Sequence, residues 1–81
     1  MSKEILALSR QARDFPLGIY KHYKGKEYEV LGVGFNESTL EEVVIYKAQY
    51  GKHHIFVRSL NEFVEEIDMS GNKVRRFSKN T

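Results

Sequence analysis

The sequence predicts a mainly β protein. The architecture it points to is a small, strongly curved SH3-like five-stranded barrel with an N-terminal helix, the alternative being an open curved antiparallel sheet with the helix packed across it. Three observations lead there. The block from Gly18 to Phe63 packs aromatic and β-branched residues into short runs separated by turn residues, which is the composition of strands and hairpins. Within those runs the side chains sort into two sets by strict alternation, as the two faces of a strand do. A single helical turn, Ser59–Phe63, precedes the last strand, and closing a small sheet into a barrel removes edges that otherwise have to be protected.

The elements follow in order. Residues 1–15 read as a helix: Ser2 is a fitting N-cap, Ile5, Leu8, Ala12 and Phe15 form one apolar stripe at helical spacing, and Pro16 stops it. That stripe either packs on the β domain or makes a dimer or partner contact. The β domain spans 17–77. Its first strand is Gly18–Tyr23, turned at Lys24-Gly25-Lys26. The second, Glu27–Phe35, contains Gly32 and Gly34, which permit a bend or a close backbone approach. A polar loop, Asn36–Leu40, leads to a third strand, Glu41–Tyr50, and a turn at Gly51-Lys52 to a fourth, His53–Arg58. After the helical turn come a fifth strand, Val64–Asp68, a turn at Ser70-Gly71-Asn72, and a short edge strand at Lys73–Phe77. Residues 78–81 read as a frayed tail.

Alternation gives the two faces. Leu31, Val33, Phe35, Val43, Ile45, Ile55 and Val57 form an aliphatic set, the natural core. The other set holds Tyr20, His22, Tyr28, Val30, Val44, Tyr46, Ala48, Tyr50, His54, Phe56 and Arg58, with Gly32 and Gly34 on the same parity. Its members carry apolar bodies with polar tips. This aromatic side is either a second packed layer, covered by the helix, Phe63 and Phe77, or an open recognition surface on which rings beside Arg58 and His22 stack a ligand.

Composition narrows the function classes. Eighty-one residues make one domain, and a chain of this size buries only about 60–65% of its unfolded surface. The chain has no cysteine, so disulfide and thiolate chemistry are absent. No run of apolar residues is long enough to span a membrane, and the charged N-terminus does not read as a secretory signal. The expected location is cytoplasmic, with no membrane association. Acids outnumber cations by four in residues 37–68, whereas 69–81 carries Lys73, Arg75, Arg76 and Lys79 and no acid. Four charges are a small electrostatic footprint for nucleic acid.

The sequence carries no catalytic, metal-binding or cofactor motif. His53 and His54 are adjacent, so a strand sends them to opposite faces. His22 and His54 share a parity, but two histidines without a carboxylate are an incomplete metal site. The pairs Glu41-Glu42 and Glu65-Glu66 split between faces in the same way. Gly32-Val33-Gly34 lacks the third glycine and the following helix of a phosphate loop. Gly18-Ile19-Tyr20 lacks the partner strand of the nuclease motif it half matches, and Ser38 and Thr39 have no histidine placed to activate them.

The ordered pieces GIYKHYKGKEYEVLGVG, VVIYKAQYG and FVRSLNEF, with a late Arg-Phe, resemble one bacterial family, the domain of unknown function 1653, over Leu17–Phe77. The family pattern falls on Tyr20, His22, Tyr23, Lys24, Gly25, Tyr28, Gly32, Tyr46, Tyr50, Arg58, Leu60, Phe63 and Phe77. The resemblance implies that the aromatic side is a family feature. This chain departs from the pattern at Asn36-Glu37-Ser38-Thr39, where the family loop usually begins with histidine. It departs also at Phe56 for tryptophan, Ser59 for proline and Arg75 for proline. The resemblance implies no activity.

Two functions are therefore expected. One is a non-catalytic binding module that recognises nucleic acid or a nucleotide-like ligand through Tyr20, His22, Tyr46, Phe56 and Arg58. The other is a structural or protein–protein interaction domain, in which the helix or an open strand edge makes a homodimer or docks on a larger enzyme. A small enzyme acting through His22 and Glu62 is the least favoured reading, and the balance leans away from catalysis.

Overall fold

The computed structural model describes residues 6–80. Its elements are α1 (Arg10–Arg13), β1 (Gly18–His22), β2 (Glu27–Phe35), β3 (Glu42–Ala48), β4 (Ile55–Ser59), α2 (Leu60–Phe63), β5 (Glu66–Met69), β6 (Asn72–Arg75) and β7 (Phe77–Lys79). The first four strands form an antiparallel meander, and β7 returns to pair with β1, giving a five-stranded sheet in the order β4-β3-β2-β1-β7. The hairpin β5–β6 is a separate two-stranded sheet.

The mainly β class holds, in the open and curved form; the barrel does not close. β4 and β7 lie at opposite edges of the sheet and are not paired with each other. The segment expected to supply the closing strand instead folds on itself as β5–β6, turning at Ser70-Gly71, where both residues take positive φ (53° and 86°). That geometry matches the right-handed twist of a tight hairpin. The expected edge strand at Lys73–Phe77 is split at Arg76 into β6 and β7, and Ser78 and Lys79, expected in a frayed tail, pair with Lys21 and Tyr20.

The N-terminal helix is shorter than its apolar spacing suggests. Ser2 and Ile5 lie outside the described residues. Residues 6–9 are not helical, and α1 is a single turn capped by Ser9, whose Oγ accepts from the Ala12 N–H at 3.1 Å. Glu42 on β3 accepts from the Ser9 N–H (2.6 Å) and from its hydroxyl (2.8 Å), fixing where the turn begins. The stripe faces inward: Ala12 is buried, and Leu8 and Phe15 pack against the core.

The core is on the aromatic side, the reverse of the expectation that the aliphatic set is buried. Tyr20, Val30, Val44, Tyr46 and Ala48 are buried together with Leu60, Phe63 and Phe77. Phe63 and Phe77 stack at 4.0 Å between centroids, and Tyr20 and Tyr46 meet Phe63 edge-on at 5.4 and 5.3 Å. The second-layer reading, with Phe63 and Phe77 as cover, is the arrangement found. Of the aliphatic set, Val43 is buried, while Leu31, Ile55 and Val57 are exposed. A register shift between Val30 and Gly32 makes Leu31 an extra residue in β2. It exchanges the faces of everything beyond it. Val33 therefore sits opposite Val44 on the core side, and Gly32 and Gly34 sit opposite Ile45 and Val43 on the outer side.

Candidate interaction surface

The structure places Tyr20, His22, Tyr46, Phe56 and Arg58 on the core side of the sheet. Tyr46 is the register partner of Phe56, and the rings lie 5.9 Å apart. Tyr20 and Tyr46 are each 5% exposed, so their rings are packing elements. The Tyr20 hydroxyl donates to the Pro16 carbonyl (2.7 Å), and the Tyr46 hydroxyl accepts from Arg58 Nε (3.3 Å). Burial raises the Tyr20 pKa, an effect partly offset by Arg75. Arg58 also reaches Glu62 at 3.5 Å. Phe56 and Arg58 retain an open face, at the rim of this cluster. His22 is half-buried between Tyr23 and Phe77, and its Nδ1 accepts the Lys24 N–H at 3.1 Å. Burial, followed by Arg76, Arg58 and Lys24, lowers its pKa, so the ring is neutral at neutral pH. His22 and His54 do not share a site, because β2 and β3 separate their strands. Among the described residues no group of three or more His, Cys, Asp or Glu side chains could hold a metal.

The outer side of the sheet is where the composition of an interior meets solvent. Ile55 is 61% and Val57 60% exposed, and Leu31 lies on the same side of the molecule's main sheet as part of the bulge. Both β4 residues lie on an edge strand. The carbonyl of His54 accepts from the Ala48 N–H at 2.9 Å. In an antiparallel ladder this puts His54, Phe56 and Arg58 in the bonded pairs and turns the N–H and C=O groups of Ile55 and Val57 outward. The residues with open backbone groups are thus the same two that carry open aliphatic side chains. Proteins protect such an edge with lysine, proline or a bulge. The run Ile-Phe-Val-Arg-Ser has none of these, and its pairing with β3 is regular.

Phe56 and Arg58 lie in β4 as expected, and β4 is a free edge, which alternation does not reveal. The available signal was the run Ile55-Phe56-Val57, which has no charged residue to guard it. An unguarded apolar edge can extend its sheet by accepting a further strand, taking main-chain hydrogen bonds for affinity and side-chain pairs for register.

Comparison with known proteins adds a family and a fold. Residues 18–79 match the family described as Protein of unknown function (DUF1653). A comparison with curated proteins gives no match. Among solved structures, the crystal structure of a protein belonging to DUF1653 from Bordetella bronchiseptica is similar, with 32% identity, 85% of this chain and 91% of that chain covered, and a TM-score of 0.77.

Proposed function

Because the chain belongs to the DUF1653 family, whose description carries no activity, we propose from the geometry that it is a protein interaction domain working by strand addition at β4. The observation that carries this reading is the coincidence of open backbone groups and open aliphatic side chains at Ile55 and Val57. The described part of the N-terminal stripe is spent on the domain's own core, which supports the edge over the helix as the contact.

The partner that best fits the edge is β4 of a second copy. Two antiparallel copies related by a two-fold axis pair residues whose numbers share a parity, because opposed side chains point to one face. One register sets apolar against apolar throughout: Ile55 faces Val57 of the second copy, and Phe56 faces its own counterpart. Outward-facing groups then meet outward-facing groups, and the two sheets become one. The overlap is a short one and buries less than the ~800 Å² per partner of a standard interface, so the dimer is weak and forms at high protein concentration.

Sedimentation velocity from micromolar to millimolar protein tests this. The expected result is a monomer–dimer equilibrium that Val57→Lys abolishes while circular dichroism stays unchanged. A protein that remains monomeric at millimolar concentration would overturn the homodimer. The nucleotide-like ligand reading keeps Phe56, Arg58 and His22 as its accessible groups. Amide NMR titration with a single-stranded oligonucleotide tests it, and absence of saturable shifts at those three residues would remove it.

A further inference from the structure

At the opposite edge of the sheet, β1, β7 and the hairpin β5–β6 border an open cleft of about 380 Å³ lined by Lys21, His22, Tyr23, Met69, Val74, Arg75 and Ser78. The fold brings these residues together for definite reasons. Lys21 and Ser78 are register partners across β1 and β7, so their side chains rise from the same face of the sheet. The hairpin is held beside them through Arg76, whose N–H donates to the Glu65 carbonyl (2.9 Å) and whose carbonyl accepts from the Tyr23 N–H (2.9 Å). Met69 and Val74 supply an apolar wall.

The charges of the cleft are unbalanced. Arg76 is fully engaged, bonding Glu65 at 2.9 Å and the Glu62 carbonyl at 3.2 Å. The side chain of its neighbour Arg75 makes no hydrogen bond or ion pair among the described residues, and neither does that of Lys21. Glu66 stands opposite Arg75 in the hairpin ladder, yet the two form no ion pair, and no carboxylate lines the cleft. His22 adds no charge, since its ring is neutral. A pocket of this volume is large enough for a small organic molecule. Its lining includes a guanidinium fork, an ammonium and a hydroxyl, groups that suit a tetrahedral dianion. Its aliphatic wall and the adjoining rings suit an apolar body.

We propose that this cleft binds a small organic phosphate monoester, with the phosphate held by Arg75, Lys21 and Ser78 and the organic group against Met69 and Val74. The site is independent of the β4 edge, from which three strands separate β7.

The test is an amide NMR titration of the whole chain with phenyl phosphate at near-physiological ionic strength, beside the same titration with inorganic phosphate. Saturable shifts should gather at Lys21, Tyr23, Val74, Arg75 and Ser78, with inorganic phosphate binding at least tenfold more weakly for want of the apolar body. Arg75→Ala should weaken phenyl phosphate at least tenfold, and Arg75→Lys should restore part of the loss. Both positions 75 and 21 are exposed, so Lys21→Ala serves as a second variant that leaves the fold intact. Equal affinity for the two probes, shifts scattered over the basic surface, or an Arg75→Ala variant that binds unchanged would each overturn the proposal.

Discussion

Tyr28 shows how a single polar atom is accommodated at the rim of an aromatic core. Its hydroxyl shares a 2.6 Å hydrogen bond with that of Tyr50, and its ring meets Tyr46, Phe56 and Phe77 edge-on. Burial and the bond to Tyr50 push its pKa from 10 to about 12, and burial raises Tyr20 in the same direction. The folded state therefore holds these protons more tightly than the unfolded chain. The contribution of Tyr28 to stability is intact below pH 10 and is lost as pH rises from there through about 12, and that of Tyr20 is lost in the same direction. Absorbance titration should show a late component, from Tyr28 and Tyr20, that ionises together with alkaline unfolding. Replacing Tyr50 with phenylalanine should bring the Tyr28 transition earlier. Ionisation of Tyr28 and Tyr20 near the ordinary tyrosine value without unfolding would contradict this account. The identity of the aromatic residues and their shared face were legible in the sequence from alternation alone. Which hydroxyls would find partners was not, because the Tyr28–Tyr50 bond joins residues 22 positions apart.

The hairpin β5–β6 is the least self-sufficient element. Two strands alone are marginal in water, and this pair is anchored by Arg76 through its backbone, its bond to the Glu62 carbonyl and its pairing with Glu65. Arg76→Ala should cost about 1–2 kcal/mol, since it removes charge-assisted bonds that are partly exposed. Hydrogen exchange is the sharper readout: protection should fall in β5 and β6 and persist in β1 to β4. Uniform loss across the chain would mean that Arg76 supports the whole domain and not the hairpin. The turn at Ser70-Gly71 was readable from its residues, and so was the helical turn α2, whose Ser59 cap accepts from the Glu62 N–H. The break between β6 and β7 was not, because it is made by contacts from Arg76 to Tyr23, Glu62 and Glu65, and no local pattern encodes them. The bulge at Leu31 escaped for a similar reason. Alternation reads the same on either side of it until a partner strand fixes the register.

For the molecule as a whole, the two faces could be sorted from the sequence, but their order of burial could not. The choice is made by three rings from outside the meander, Phe15, Phe63 and Phe77, all of which arrive on the aromatic side. Four open strands have no second cover to offer, so the aliphatic side faces solvent. This makes a direct contrast. Phe63 is 1% exposed, and Phe63→Ala should cost about 3–5 kcal/mol, lowering the thermal midpoint by roughly 15 °C or more in a domain of this size. Val57→Ala and Ile55→Ala should stay within about 0.5 kcal/mol of the parent. Calorimetry of the three variants checks the assignment, and a destabilisation from the β4 variants comparable to that from Phe63→Ala would reverse it.

The stacking of Phe77 on Phe63 also bears on how the chain is made. β7 pairs with β1, so the sheet joins residues close to both ends of the described chain. A nascent chain can build the meander β1 to β4 as it emerges from the ribosome, because each hairpin closes locally. It cannot seal its core until Phe77 has cleared the exit tunnel. Until then the aromatic side is only partly covered, by Phe15 and Phe63, and the sheet exposes apolar surface on both faces. β7 therefore sets the time at which the domain becomes safe from its neighbours.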